Sequence, residues 1–460
     1  YLLTNTLPKD IADSHLSGDL HITRPGLWSL LPDSIFINIK ELIEDGIDLK
    51  GKALSVSKLT SIKTLSNLSS ALSMIISLIA KEASQEVIMD GLVSLLSKYS
   101  KNLSELEEKL VNSFIMSSTA FKFNKTPTIV SFTLPLGVEQ KIVNVVLSAY
   151  KTYVELTPRP RIGLVINYEK GKITDVSNIL AEIISLGGEI IFAKHNISQN
   201  GVTRLKSTGS STLHLGSLSI NLPRLAFESN KDETYFRARL ALLMKPALVS
   251  MNLRKKNISE LVRLGMNPIL ANNTQYMQRC STSLVINLVG LRDAVFGILG
   301  FKDDKQGHEI LNKVVETSVD IALKKAKELG TDVLVTMTKS DGSGRFISLD
   351  EEKYGKNSIL KITENETYTE GVVIDASTLT DLTIKSPQIV ECNRMAKTLN
   401  GGLFTQVKIP NGSKITEIKK NIEKVSNLTN SFKLIMRVPL CGNCGLKDQT
   451  LVDKCPTCKS

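Results

Sequence analysis

Cys441, Cys444, Cys455 and Cys458 carry the clearest chemistry in this 460-residue chain. They form C-x2-C-x10-C-x2-C, with turn residues in each half: Gly442 and Gly445 in the first, Pro456 in the second. Two thiolates spaced by two residues reach one ion from a tight knuckle. Two such knuckles complete the tetrahedral sulfur shell that Zn²⁺ prefers, so zinc is the expected cofactor. A redox C-x-x-C pair is the alternative, but two pairs so close together favour a closed four-thiolate site. A short ribbon has almost no core, and metal binding supplies its folding energy. Zinc ribbons also bind nucleic acids, so the module alone does not select a role.

The remaining chemistry-bearing residues are scattered. Cys280 and Cys392 are isolated and read as small buried apolar residues rather than nucleophiles. His15 and His21 lie beside Asp13 and Asp19, where a metal pair is conceivable, although hydrogen bonds in a packed segment are the expected role. His214 falls on a predicted strand as a satisfied sheet residue. Asp341-Gly342-Ser343-Gly344 is a Gly-rich turn without the Lys and Ser/Thr ending of a phosphate-binding P-loop, and is read as a loop.

The elements that must position these groups change character along the chain. Helical spacing of apolar residues runs through Ile35 to Ile43, Leu68 to Ala83, Val87 to Tyr99 and Leu103 to Met116. Strands and helices then alternate. Thr128 to Leu134 is a predicted strand, Val138 to Leu156 a helix, Arg161 to Tyr168 a strand, Thr174 to Leu186 a helix and Gly188 to Ala193 a strand. Leu213 to Leu222 follows as a strand and Glu233 to Met244 as a helix. Ser283 to Val289 is a strand, Glu309 to Leu329 a helix and Asp332 to Met337 a strand. Buried β-branched strands between amphipathic helices predict an α/β domain with a large, partly parallel sheet. The expected organisation is a helical region over 1–125, an α/β barrel over 126–436 and a cysteine ribbon over 437–460.

Net charge is +11, from 57 Lys and Arg against 46 Asp and Glu. Such a balance fits either a Lys-rich soluble surface or a polyanionic partner such as RNA, DNA or a nucleotide. With nine Tyr, thirteen Phe and one Trp, an aromatic base-stacking platform is not expected, and nucleic-acid binding would rest on salt-sensitive phosphate contacts. The basic runs Arg254-Lys255-Lys256, Lys324-Lys325 and Lys419-Lys420 are solvated faces on the plain reading and the first phosphate contacts on the other. Six cysteines in this length do not make a disulfide framework. The longest apolar stretch, Leu72 to Ala80, is interrupted by Ser73 and Ser77 and is too short to span a membrane. No secretory signal follows Tyr1, and an initial Tyr hints at trimmed ends. The cytoplasm is the expected compartment.

Several segments together carry a family resemblance. Leu7-Pro8-Lys9-Asp10-Ile11-Ala12-Asp13-Ser14-His15-Leu16-Ser17-Gly18-Asp19-Leu20-His21-Ile22 resembles an N-terminal segment of anaerobic, glycyl-radical ribonucleoside-triphosphate reductases. Ser219-Ile220-Asn221-Leu222-Pro223-Arg224-Leu225-Ala226 resembles their INLPR strand. Gly290-Leu291-Arg292-Asp293-Ala294-Val295 is similar to their GLxEA turn. Arg345-Phe346, with Asp350 and Tyr354-Gly355, resembles their RF…D…YG element, and the ribbon also occurs in that family. The resemblance implies a ten-stranded α/β barrel with the helical N-terminal region around it, a homodimer and nucleoside triphosphate binding. Asn221 and Arg224 would orient a phosphate or ribose in an active relative, or here merely tie strand to loop.

The same resemblance implies a cysteine whose thiyl radical abstracts the ribose 3′ hydrogen, shortly before the INLPR strand. Here that stretch is His195-Asn196-Ile197-Ser198-Gln199-Asn200-Gly201-Val202-Thr203-Arg204-Leu205-Lys206, and no cysteine occurs between Tyr1 and Arg279. The glycyl-radical motif, an Arg followed soon by Gly-Tyr, is also missing before Ser460. Trimming accounts for the second loss and not for the internal first. A catalytically degenerate relative is therefore expected, a binding protein with RNA or the ribosome as partner. The alternatives are an active reductase seen as a trimmed chain, and a nucleotide-sensing regulatory subunit.

Overall fold

The computed structural model describes residues 2–44, 64–122, 128–169, 171–204, 211–267, 269–270, 280–363, 366–447 and 454–459. The expected junction near residue 125 lies outside them. Thirteen strands run among the described residues: β1 (Leu20–Ile22), β2 (Ser34–Asn38), β3 (Glu86–Asp90), β4 (Ile129–Pro135), β5 (Ile162–Asn167), β6 (Glu189–Ala193), β7 (Thr212–Asn221), β8 (Ser281–Val289), β9 (Asp332–Met337), β10 (Val372–Asp375), β11 (Gly402–Leu403), β12 (Thr405–Lys408) and β13 (Ser431–Ile435). Ten were expected. The excess comes from short pieces such as β11, whose two residues carry no hydropathy period of their own.

The chain divides into two compact units. The first comprises Tyr1–Ile35, Asn200–Val373 and Val390–Phe404; the second comprises Phe36–Gln199, Ile374–Ile389 and Thr405–Ser460. In the first, β7, β8, β9 and β11 pair in that order, all parallel, and β1 pairs antiparallel with β7. In the second, β3, β4, β5 and β6 pair in parallel, β13 joins β6 antiparallel, and β12 pairs parallel with β13. The parallel strands are nearly continuous runs of Ile, Val and Leu because helices connect them and both faces are buried.

Three of the longer helices begin where a side chain satisfies their free N–H groups. Thr64 accepts from Asn67 N ahead of Leu65–Ile79, Asp232 from Tyr235 N ahead of Glu233–Arg263, and Asp304 from Gln306 N and Gly307 N ahead of Lys305–Leu329. Gly330 closes the last of these with φ 59°.

Four sequence readings need correction. Ile35 to Ile43 and Val87 to Tyr99 were expected to be helical throughout, yet each opens with a strand, β2 and β3, before a short helix: Ile39–Glu44 and Leu92–Leu96. A continuous apolar run satisfies both periods, so spacing alone cannot separate them. The break after β3 is Gly91, at φ +82°, where a Cβ would lie 2.3 Å from Asn38 Oδ1. Glu233 to Met244 is only the first part of a 31-residue helix that continues through Pro246. The Gly-rich turn at Asp341 is shorter than read, since a helix already starts at Ser343.

Candidate functional site

The four ribbon cysteines converge as expected. Their sulfurs all lie within 4.8 Å of one another, with Cys441–Cys458 at 3.6 Å and Cys444–Cys455 at 3.5 Å. A tetrahedron with Zn–S bonds of about 2.3 Å has edges of about 3.8 Å, so the donor set fits one zinc ion. The knuckle is shaped by Gly445 at φ +76° and by hydrogen bonds from Cys441 N to Leu446 O and from Gly445 N to Cys441 O. With four sulfurs and no fifth position, such a site is structural rather than catalytic.

Asn221, the last residue of β7, and Arg224, in the helix that follows, lie in a buried polar knot. Asp350, which is 0 % exposed, accepts from Arg224 Nε at 2.6 Å, from Asn221 Nδ2 at 2.9 Å and from Tyr368 OH at 2.9 Å. Burial raises the Asp350 carboxyl above its usual range, and the bonds from Asn221, Arg224 and Tyr368 oppose that shift. Asn221 also caps the helix Leu222–Glu228 through Arg224 N and donates to Gly18 O. Gly18, at φ +94°, leaves room for the guanidinium, with Arg224 Nη1 only 3.1 Å from where a Cβ would be.

The other motif segments meet the same knot. Arg345 donates to His15 O at 2.5 Å. Gly290, at φ +74°, lies against Pro223, where a Cβ would come within 2.5 Å, and donates its N–H to Thr369 O. Asp293 accepts from both Thr369 N and Thr369 Oγ1. All four segments that carried the sequence resemblance thus meet in one unit, and in this chain Asn221 and Arg224 tie strand, helix and N-terminal segment together. Tyr368 completes the knot and was not singled out in the sequence; an isolated Tyr gives no spacing signal.

The stretch before the INLPR strand is pinned by its backbone and amides. Asn196 donates to Asp90 Oδ2 at 3.2 Å and accepts from Asn167 Nδ2. Gln199 receives its own support from Glu86 Oε2, which accepts the Gln199 N–H at 3.0 Å, and its Nε2 donates to Leu164 O at 2.8 Å. Further on, Thr203 N donates to Gly401 O at 2.8 Å, and Gly201 at φ +93° packs on Phe404. Leu205 and Lys206 lie outside the described residues.

The two isolated thiols sit elsewhere. Cys280 immediately precedes β8, at the opposite end of the β7–β8 pair from Asn221, since Thr212 faces Ser281 and Asn221 faces Val289. Burial pushes its thiol up to about 12. Cys392 is 1 % exposed on the helix Pro387–Thr398. Both are at least partly buried, as read from the sequence.

His15 and His214 serve packing, whereas His21 Nε2 lies 3.2 Å from Asp341 Oδ1. His15 Nδ1 accepts from Ile22 N at 3.3 Å, and His214 Nδ1 lies 2.6 Å from Ser283 Oγ. Burial lowers His15 to about 4 and His214 to about 3. One basic run is not a solvated face: Arg254 is 0 % exposed, with Nη2 2.6 Å from Asp33 Oδ1 and 2.8 Å from Leu31 O. Ser217 N and Oγ also donate to Asp33. A buried guanidinium needs such a carboxylate, and Asp33 is too far away in sequence for the run to announce it.

The description "anaerobic ribonucleoside-triphosphate reductase" belongs to the family whose profile matches residues 172–460. The chain belongs to this reductase family. Solved structures agree on the fold. An anaerobic ribonucleotide reductase is 15% identical, with 98% of this chain and 77% of that one covered at a TM-score of 0.72. The Thermotoga maritima anaerobic ribonucleotide reductase in complex with dATP and CTP is 14% identical, with 98% and 81% covered at 0.72. A glycyl radical enzyme from Archaeoglobus fulgidus is 11% identical, with 74% and 57% covered at 0.51. No curated protein sequence matches the chain. The expected fold class, the α/β barrel of the anaerobic reductases with a cysteine ribbon near the C-terminal end, therefore stands for this reductase-family chain. Among its described residues no helix is long and apolar enough to cross a membrane.

Proposed function

We propose that this member of the reductase family does not reduce ribonucleotides and acts by binding. The observation that carries the proposal is internal to the chain: residues 195–204 offer Asn, Ser, Gln, Val and Thr, and no cysteine occurs before Cys280. Ribose hydrogen abstraction needs an S–H bond that breaks and re-forms reversibly. The O–H and C–H bonds of Ser, Thr and Val are not matched to that exchange. Cys280 is a poor replacement, because the nine residues of β8 at ~3.3 Å each put it roughly 30 Å from the Asn221 end of the paired strands.

RNA or the ribosome is the proposed partner, supported by the charge of +11 and by a ribbon whose four thiolates suit zinc. Sedimentation of the native protein from a lysate tests this. Comigration with ribosomal particles at low salt and release at high salt are expected; a free protein at both salts overturns it. Family membership favours a rival reading, in which the chain is an active reductase or a nucleotide-sensing subunit. The dATP and CTP seen in the Thermotoga maritima relative give the probes, and tight nucleotide binding without turnover would select the sensing role.

We also propose a homodimer. The helix Glu233–Arg263 exposes Tyr235, Leu242 and Val249 at 49, 63 and 46 %. Their seven-residue spacing draws one stripe along a single helix face. A second copy of the same stripe is its simplest partner. The cysteine ribbon over 437–460 is proposed to be a separately stabilised module.

A further inference from the structure

Beside the ribbon, within the second unit, lies an open cavity of about 390 Å³. That volume falls in the range of small-molecule sites. Its apolar walls come from three connections: Pro158 after the helix Gln140–Leu156, Leu186 before β6, and Met436, Val438 and Leu440 after β13. Two glycines bring the walls close. Gly445 lies against Pro158, where a Cβ would come within 2.8 Å, and Gly187, at φ +80°, lies against Val438.

The charged lining is one-sided. Glu189 is its carboxylate, and Lys433 Nζ neutralises it at 2.5 Å. Arg159 and Lys447 remain. Lys447 Nζ donates to Val154 O at 2.7 Å and to Leu186 O at 3.1 Å, near the C-terminal ends of two helices. Those dipole ends favour a cation there, and the ammonium keeps one of its three N–H groups for another acceptor. Desolvation lowers its pKa to about 8, so an added anion would be welcome. Arg159 is exposed, and no hydrogen bond or ion pair occupies its guanidinium among the described residues. It sits between Pro158 and Pro160, whose rings restrict the backbone and hold it at the rim.

From the cavity, its apolar walls and its two uncompensated cations, we propose that this groove binds a small amphipathic anion: an aliphatic body carrying one carboxylate or phosphate group. The aliphatic part lies along Leu186, Val438 and Leu440, and the anionic group spans Lys447 and Arg159. The site is separate from the four thiolates and from the polar knot at Asp350, and does not depend on whether the chain is catalytic.

Calorimetry on the full chain tests it with octanoate and octyl phosphate, using octanol and acetate as controls. One or both anions are expected to bind while neither control does, and the tighter anion identifies the headgroup. Arg159→Gln, an exposed change that disturbs no internal bond, is expected to weaken binding about tenfold, the worth of one charge-assisted hydrogen bond. Protection of Lys447 from acetylation by the bound anion, read by mass spectrometry, places the ligand. Absence of binding by both anions at millimolar concentration overturns the proposal. So does equal binding of octanol, or unchanged affinity in Arg159→Gln.

Discussion

At the scale of single residues, burial dominates the titration of His15 and His214. His214 shows the consequence. Its folded pKa is lowered from 6.5 to about 3, so the unfolded chain binds the extra proton first. The stabilising contribution is complete above about pH 6.5 and is lost as pH falls toward 3, at up to about 1.4 kcal/mol per pH unit. His15, lowered to about 4, adds a loss over the upper part of the same window. Denaturant midpoints measured at pH 7.5 and pH 5 are therefore expected to differ, and His214→Gln is expected to reduce that difference; an unchanged pH slope in the variant would refute the assignment. The knot at Asp350 makes the same point without titration. Asn221 and Arg224 were readable as important from their motif, but whether they face a ligand or each other depends on Asp350 and Tyr368, more than a hundred residues away.

Elements were legible where one period dominated. The strands β4 to β9 and the helices Gln140–Leu156 and Lys305–Leu329 lie close to where apolar spacing put them. β2 and β3 were missed because Ser-Ile-Phe-Ile-Asn and Glu-Val-Ile-Met-Asp are buried on both faces, which erases the alternation that marks a half-buried strand. The cysteine ribbon was legible because its four donors are close in sequence, whereas the groove beside it is built from three distant connections and had no sequence signal. If zinc holds the ribbon, removing it with a chelator should lower the melting temperature of the intact chain, and Cys455→Ser should abolish stoichiometric zinc by elemental analysis. Retention of one zinc per chain in that variant would contradict the four-thiolate site. The helix Glu233–Arg263 carries a separate expectation. Leu242→Glu buries a charge in any stripe-to-stripe contact, and a dimer should become a monomer by analytical ultracentrifugation; an unaltered dimer would place the interface elsewhere.

At the scale of the whole molecule, the chain keeps the reductase fold while no cysteine occurs before Cys280, and the proposal of a non-catalytic role rests on that internal feature. The four motif segments hold one unit together through Asp350, Arg224, Gly290 and Arg345, a structural task that does not depend on turnover. Fold and chemistry are separable in this way because the barrel is a scaffold and the reaction belongs to a few side chains upon it. The central claim is tested most directly by anaerobic turnover of ribonucleoside triphosphates by the native protein, supplied with a radical-generating activase and a reductant, with deoxyribonucleotides read by chromatography. No product above the protein-free control is expected. Deoxyribonucleotide formation over many turnovers, abolished by Cys280→Ala, would contradict the account and identify the chain as a working reductase with a displaced thiol.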